Sequence, residues 1–116
     1  KDFKCFKNIS SFFAMTAHIL YTHLDKKNNA THSKIIIKKI IRKEIGFKGI
    51  LISDDISMKA LNYNIIKNAD LALKAGCNLV LYCAGKTKEM NKLLNSTPYI
   101  DKFTAKKTSE FYKFLS

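Results

Sequence analysis

The chain has 116 residues, of which 47% are hydrophobic and 26% are charged, and its formal net charge is +12. These values are ordinary for one soluble globular domain or part of one, and no apolar run approaches the roughly 20 residues that a membrane span needs. The N-terminal segment has no apolar core with a cleavage site, so no signal peptide is predicted. Three cysteines without a metal or redox spacing favour reduced thiols in a cytoplasmic protein. A first residue other than Met indicates a piece of a longer protein.

The positive charge comes almost wholly from lysine, and Arg42 is the one arginine among the 21 Lys and Arg residues. Arginine is the preferred side chain for bidentate phosphate and base contacts. The composition therefore favours solvated lysine faces, and we expect no specific nucleic-acid partner and no membrane. The alternative is a basic binding module without catalysis, which predicts binding that depends steeply on salt.

Buried strands alternate with amphipathic helices along the chain. In chain order the prediction is the end of a helix over 3–9, a strand over 11–17, a helix over 34–44, a strand over 49–53, a helix over 64–75, a strand over 77–83, a helix over 86–95 and an amphipathic segment over 99–115. Ser33 is a good N-cap for the helix over 34–44, which Gly46 ends and whose polar face includes Arg42. This alternation predicts right-handed βαβ units and an α/β fold with a parallel sheet.

Polar or reactive residues follow each predicted strand: His18, then Asp54 with Asp55, then Cys83. The carboxyl ends of parallel strands share one edge of a sheet, which is where ligands bind in such folds. Asp54 is the leading candidate, because a carboxylate at a strand end can act as nucleophile, general base or metal ligand. The alternative is that Asp54 or Asp55 only caps the next helical turn or pairs with a lysine.

The other reactive side chains are less informative. His18 is a candidate ligand, acid/base or hydrogen-bonding positioner, and a purely structural hydrogen bond is its alternative. His23 and His32 are expected at the surface. Cys83 is expected to be buried and inert, because no base lies at a telling spacing from it. The sequence has no glycine-rich phosphate loop, no nucleophile elbow and no clustered metal-ligand spacing.

The segment 40–58, IIRKEIGFKGILISDDISM, is similar to the active-site signature of glycoside hydrolase family 3. The variant SDDISM, from Ser53 to Met58, resembles the bacterial β-N-acetylhexosaminidase branch of that family. Further similar segments are MTAHILY over 15–21 with Asp25 after it, ATHS over 30–33, and AGCN over 75–78. The resemblance covers about residues 1 to 100.

This resemblance implies a TIM (β/α)8 barrel, of which the chain, as one partial domain over 1–116, would hold the C-terminal part, about the last three strand-helix units. A full barrel needs about 250 residues. The resemblance also implies a retaining mechanism through a glycosyl-enzyme intermediate, with Asp54 as the nucleophile and Asp55 as a structural neighbour. His18 is expected beside the nucleophile in the substrate site, and Met58 is a candidate for lining the sugar pocket. No metal or organic cofactor is implied.

The proton donor of this branch is a histidine with an aspartate partner, on an earlier loop after a Lys-His-Phe-Pro-Gly-His-Gly motif. That motif is not in this sequence, nor are the earlier aspartate and arginine that grip the sugar. The resemblance implies a cytoplasmic parent enzyme that removes terminal N-acetylglucosamine from GlcNAc-containing muropeptides during peptidoglycan recycling. The 116-residue chain alone is expected to be inactive or nearly so. The alternatives are half of a split enzyme that needs a separate N-terminal chain, and a non-functional remnant.

Overall fold

Three strands form one parallel sheet in the computed structural model, which describes residues 2–116. The strands are β1 (Phe13–Met15), β2 (Ile50–Asp55) and β3 (Leu79–Leu81), in the spatial order β1-β2-β3. Phe13 lies opposite Ile50, and Ile52 lies opposite Leu79. The predicted α/β class and parallel sheet are confirmed, although β1 and β3 are shorter than the apolar runs that predicted them.

Helices flank the sheet on the chain segments where they were predicted. Between residues 2 and 116 they are a 3-10 helix (Asp2–Phe6), a π-helix (Ile36–Ile45) and three α-helices, α1 (Ile65–Ala75), α2 (Thr87–Ser96) and α3 (Lys102–Leu115). The wider i→i+5 hydrogen bonding of the π-helix was not predicted, because its sequence pattern is that of any amphipathic helix. Across this described part of the chain, no helix has both the length and the apolar character that a membrane crossing requires.

The π-helix begins and ends where its capping residues indicate. Ser33 Oγ accepts a hydrogen bond from the backbone N–H of Ile36 at 3.1 Å. At the other end Gly46 has a φ of 81°, a left-handed conformation that glycine adopts without a Cβ clash, and its N–H donates to the Ile41 carbonyl. The buried side chains of the helix are Ile36, Ile37 and Ile40. Its inner face therefore covers the sheet between two well-defined ends.

Two apolar clusters fix the sheet and the segment that follows β2. The first lies between the π-helix, β2 and α1, and consists of Ile37, Leu51, Ala72, Ala75 and Cys77. The second joins α1 and α2 to the chain beyond β2, and consists of Ile56, Leu61, Ala69 and Leu93. Because Ile56 is fully buried directly after β2, the end of that strand has one well-defined position.

Arg42 holds the N-terminal edge of the sheet together. Its Nη1 donates to the carbonyl oxygens of Gly49 at 2.7 Å and Phe47 at 3.1 Å, and its Nη2 donates to Asn78 Oδ1 at 2.7 Å. The guanidinium carbon lies 5.2 Å from the Phe47 ring centroid and 5.7 Å from that of Phe103. The expectation that Arg42 belongs to a solvated polar face is wrong, because the loop after the π-helix folds back and supplies carbonyl acceptors.

Both outer strands of the described sheet are open on one side, since β1 and β3 each pair only with β2. Near β1, Phe6, Ile9 and Met15 are each more than half exposed. The prediction that the first strand is buried is therefore wrong at Met15. Apolar open edges of this kind are normally covered in a stable soluble protein.

Candidate active site

The C-terminal ends of the three strands meet around Asp54 and Asp55. The Nε2 atom of His18, in the chain after β1, lies 2.8 Å from the carbonyl oxygen of Asp55. The backbone N–H of Cys83, in the chain after β3, donates to Asp55 Oδ1 at 3.0 Å. The structure therefore brings together the residues that the sequence predicted at one sheet edge, which is the ligand-binding edge of a parallel α/β fold.

Asp55 is fully engaged by its neighbours. Its Oδ1 accepts from the backbone N–H groups of Ser57 and Cys83, both at 3.0 Å, and its Oδ2 accepts from the Ser57 hydroxyl at 2.7 Å. Burial raises the pKa of the Asp55 carboxyl, but the hydrogen bonds from Ser57 and Cys83 outweigh it and hold the pKa below its ordinary value. Asp55 thus stays ionised and closes the turn after β2, which is a structural use of a carboxylate.

Asp54 is partly exposed and far less engaged. Its Oδ1 accepts from the backbone N–H of Asp55 at 2.8 Å, and within residues 2–116 its carboxylate has no other hydrogen bond and no ion pair. The alternative of a helix cap or a lysine pair is therefore not observed for Asp54 in this part of the chain. Of the two adjacent carboxylates, Asp54 is the one with an oxygen available to a reacting carbon atom.

His18 connects the chain after β1 to the end of β2. Its Nδ1 lies 2.8 Å from Thr31 Oγ1, and its Nε2 faces the Asp55 carbonyl. Both ring nitrogens thus have protein partners, so the hydrogen-bonding positioner is the alternative that the geometry favours among those left open for His18.

Met58 and the remaining histidines lie in different environments. Met58 is 44% exposed, and its N–H donates to the Asp55 carbonyl at 3.2 Å. His23 is exposed, as predicted. The surface prediction for His32 is wrong: it is buried, with Nε2 at 3.2 Å from the Asn68 carbonyl oxygen. Burial lowers the pKa of His32, although the hydrogen bond to Asn68 opposes the shift.

Cys83 also differs from its prediction. It was expected to be buried at the end of a strand over 77–83, but it is exposed. The reason is that β3 ends at Leu81, so Cys83 already lies in the loop beyond the sheet. Cys83 contributes its backbone N–H to the site, and the thiol takes no part in that hydrogen bond.

Asp25 and Thr31 lie in the loop before the π-helix and support the site. Their residue types alone do not predict this role. Asp25 accepts from the N–H of Lys27 at 2.9 Å and from the Ser33 hydroxyl at 2.7 Å. These two hydrogen bonds are the main causes that lower the pKa of Asp25 to about 2. Thr31 is completely buried beneath His18. The only signal for them in the sequence was the similarity of Asp25 and the ATHS segment to the family.

Neither a metal cluster nor a helical groove competes with this site. In the described residues, 2–116, no group of three or more His, Cys, Asp and Glu side chains is placed to hold a metal ion. A groove of about 680 Å³ lies between α1 and α2 and is lined by residues such as Ile66, Asp70 and Lys92. That groove belongs to the helical layer and does not include the strand-end carboxylates.

Known proteins are similar to this chain in sequence. Residues 8–103 match the glycosyl hydrolase family 3 N terminal domain. A Beta-hexosaminidase of Vibrio cholerae serotype O1 (strain M66-2) is 36% identical over 89 residues, which cover 75% of this chain and 26% of the relative. A Beta-hexosaminidase of Psychromonas ingrahamii is 30% identical over an alignment that covers 97% of this chain and 33% of the relative.

Solved structures give the same likeness. The crystal structure of native NagZ from Neisseria gonorrhoeae superposes with a TM-score of 0.70 at 31% identity, over 84% of this chain and 27% of that protein. The chain therefore spans between about a quarter and a third of the length of these three proteins.

Proposed function

The chain belongs to the family of glycosyl hydrolase family 3 N-terminal domains, and on that premise we propose that it is part of a retaining β-N-acetylhexosaminidase to which it contributes the nucleophile, Asp54. The observation that carries the proposal is the division between two adjacent carboxylates. The Asp55 carboxylate is hydrogen-bonded to Ser57 and Cys83, whereas the Asp54 carboxylate, which is also half-buried, accepts a hydrogen bond from the N–H of the next residue and, within residues 2–116, no other. The relatives named Beta-hexosaminidase support the reaction class.

In this mechanism a carboxylate oxygen of Asp54 attacks the anomeric carbon of a terminal N-acetylglucosamine residue. The bond from that carbon to the glycosidic oxygen breaks, and the leaving oxygen takes a proton from a general acid. Water then hydrolyses the glycosyl ester and restores the Asp54 carboxylate. The backbone N–H of Asp55, which donates to Asp54 Oδ1 at 2.8 Å, orients the carboxylate for the attack.

The general acid is proposed to lie on a loop that is not in this sequence. Retaining glycosidases place it about 5 Å from the nucleophile on the other side of the sugar. Met58 is proposed to line the sugar pocket, since it is exposed and follows Asp55 closely in the same turn. The proposed substrates are GlcNAc-containing muropeptides, and the proposed compartment is the cytoplasm, where cell-wall fragments are recycled.

We further propose that the sheet is the C-terminal part of a (β/α)8 barrel. Its strands are parallel, its helices follow its strands, and its outer strands present open edges with exposed apolar side chains nearby. The remaining strands would cover those edges, either as an earlier part of the same polypeptide or as a separate chain. The 116-residue chain alone would then lack the general acid and show little or no activity.

Complementation tests this proposal. The 116-residue chain is co-expressed with a polypeptide that holds the preceding strands of a family relative, and hydrolysis of a chromogenic N-acetylglucosaminide is measured. We expect activity that Asp54→Asn abolishes and that Asp70→Asn, a surface carboxylate on α1, leaves unchanged. Activity that survives Asp54→Asn would remove the nucleophile assignment.

A further inference from the structure

We infer that Thr31 and His18 are positioning residues for the nucleophile: the Thr31 hydroxyl anchors the His18 ring in the orientation in which Nε2–H donates to the Asp55 carbonyl. The inference rests on the proposed role of Asp54. It assigns His18 to the support of the site and not to the sugar, and it brings in Thr31, which is 0% exposed and touches no solvent.

The partner of Nε2 determines where the proton of His18 lies. Nε2 is 2.8 Å from a backbone carbonyl oxygen, that of Asp55, and a carbonyl oxygen can only accept. Nε2 therefore carries the proton. In the neutral ring Nδ1 is then an acceptor, and the atom 2.8 Å from it, Thr31 Oγ1, must donate.

Thr31 can satisfy the ring in both protonation states. Its Oγ1 also lies 2.8 Å from Thr16 Oγ1 and 3.2 Å from the Ala17 carbonyl oxygen. When His18 is neutral, the Thr31 proton points to Nδ1 and Thr16 donates to Thr31. When His18 is cationic, Nδ1–H donates to Thr31, whose own proton turns to Ala17. The ring is held in place in both cases.

The support for this arrangement comes from the sheet itself. The backbone N–H of Thr16 donates to the Ile52 carbonyl at 2.9 Å, which extends the β1–β2 pairing to the residue beside Thr31. Thr16, like Thr31, is buried. The hydroxyls of Thr16 and Thr31 therefore form a fixed support under the His18 ring, and this support moves only if the sheet moves.

The other end of this chain of contacts is Asp54. Asp55 offers its carbonyl to His18 Nε2–H, and the same residue offers its N–H to Asp54 Oδ1. A shift of the Asp55 backbone would therefore reorient the Asp54 carboxylate. Since both His18 nitrogens are occupied by protein atoms, the ring has no nitrogen left to donate to or accept from a sugar hydroxyl.

The first test reads the tautomer directly in the 116-residue chain. Nitrogen-15 NMR of the three histidines, with His18 assigned by its loss in His18→Gln, is recorded at a pH where the ring is neutral. We expect the Nε2–H tautomer for His18 in the wild type and in Thr31→Ser. We expect a mixture of tautomers in the isosteric Thr31→Val, because a ring that Thr31 no longer anchors turns away from the Asp55 carbonyl. A Thr22→Val variant, in the exposed part of the same loop, serves as the matched control and should leave the spectrum unchanged. An Nδ1–H tautomer in the wild type would overturn the inference.

The second test reads catalysis in the complemented enzyme. Thr31→Val should lower kcat by about tenfold or more, with KM within about twofold, because the reacting group is displaced while the sugar contacts stay. Thr31→Ser should restore kcat to within about threefold of the wild type.

If Thr31→Val fails to fold, the comparison of His18→Gln with His18→Asn decides, since only the longer amide, that of glutamine, places an N–H where Nε2–H lies. Equal activity of the two amides, or an unchanged kcat in a folded Thr31→Val, would overturn the inference. If Asp54→Asn stays active, the proposed function fails, and the tautomer measurement still stands on its own.

Discussion

The carboxylate of Asp55 and the backbone N–H of Cys83 lie 3.0 Å apart, which ties the end of β2 to the chain beyond β3. This contact is one reason why the carboxylates of two neighbouring aspartates differ in their hydrogen bonding. Asp55 holds two strand ends together, and Asp54, one residue earlier, stays available. The chemistry proposed for Asp54 thus depends on a neighbour that takes no part in it.

Replacement of the two aspartates should separate stability from activity. Asp55→Ala removes the hydrogen bonds to Ser57 and Cys83 and should lower the free energy of unfolding by about 2 kcal/mol, whereas Asp54→Ala should change it by less than about 0.5 kcal/mol. Urea unfolding of the two variants measures the difference. Equal losses, or a larger loss for Asp54→Ala, would contradict the division.

Asp25 should make the stability of the chain depend on pH in acid. Its pKa is about 2 in the folded protein against an ordinary value of 3.8, so the folded state binds this proton less tightly than the unfolded state. The stabilisation is complete above pH 3.8 and is lost as the pH falls through about 2. Allowing for solvent screening, it amounts to about 1 to 2 kcal/mol.

Thermal unfolding between neutral pH and pH 2 checks this contribution. Asp25→Asn should flatten the acid limb of the stability profile, because the amide does not titrate. Asp70→Asn, which alters an exposed pair with Lys74, should leave that limb close to the wild type. Identical acid limbs in the wild type and Asp25→Asn would show that Asp25 is not responsible.

Arg42 should be the cation on which folding depends most. Arg42→Lys keeps the charge but loses the planar fork that reaches Gly49 and Asn78 together, and should cost about 2 kcal/mol in the free energy of unfolding. Lys39→Met, on the exposed face of the same helix, should cost less than about 0.5 kcal/mol. Chemical denaturation of the two variants makes the comparison, and a tolerated Arg42→Lys would mean that the fork is dispensable.

Two glycines should respond differently to alanine. A Cβ at Gly49 would lie 2.5 Å from the Phe12 carbonyl oxygen, a backbone atom that cannot move aside, so Gly49→Ala should cost about 2 to 3 kcal/mol. A Cβ at Gly46 meets nothing within 4 Å. Its cost is conformational, from the φ of 81°, and should be about 1 kcal/mol. Measured unfolding free energies in the reverse order would contradict this account of the two sites.

Locally encoded features could be read from the sequence. The helix predicted over 64–75 is observed as α1, because Asn64 Oδ1 accepts from the Lys67 N–H at 2.9 Å and Gly76 follows the last turn. The strand predicted over 49–53, observed as β2, was equally visible, since an apolar run meets two charges there. In these cases the residues that decide the structure are neighbours in the chain.

The parts that could not be predicted depend on partners far away in the sequence. Arg42 reaches Asn78, 36 residues later, and His18 reaches Asp55, 37 residues later. His32 is buried because it packs against α1 at Asn68. Neither residue type nor local spacing predicts such contacts. The sequence alone therefore favours a solvated arginine and a surface histidine.

Covalent trapping of the nucleophile tests the central claim, that Asp54 forms the glycosyl ester. The complemented enzyme is treated with a fluorinated N-acetylglucosaminyl fluoride, whose leaving group needs no proton donor and whose ester hydrolyses slowly, and the labelled peptide is sequenced by mass spectrometry. We expect the sugar on Asp54 in the wild type and no label in Asp54→Asn. A label on Asp55 or any other residue, or undiminished labelling in Asp54→Asn, would contradict the claim.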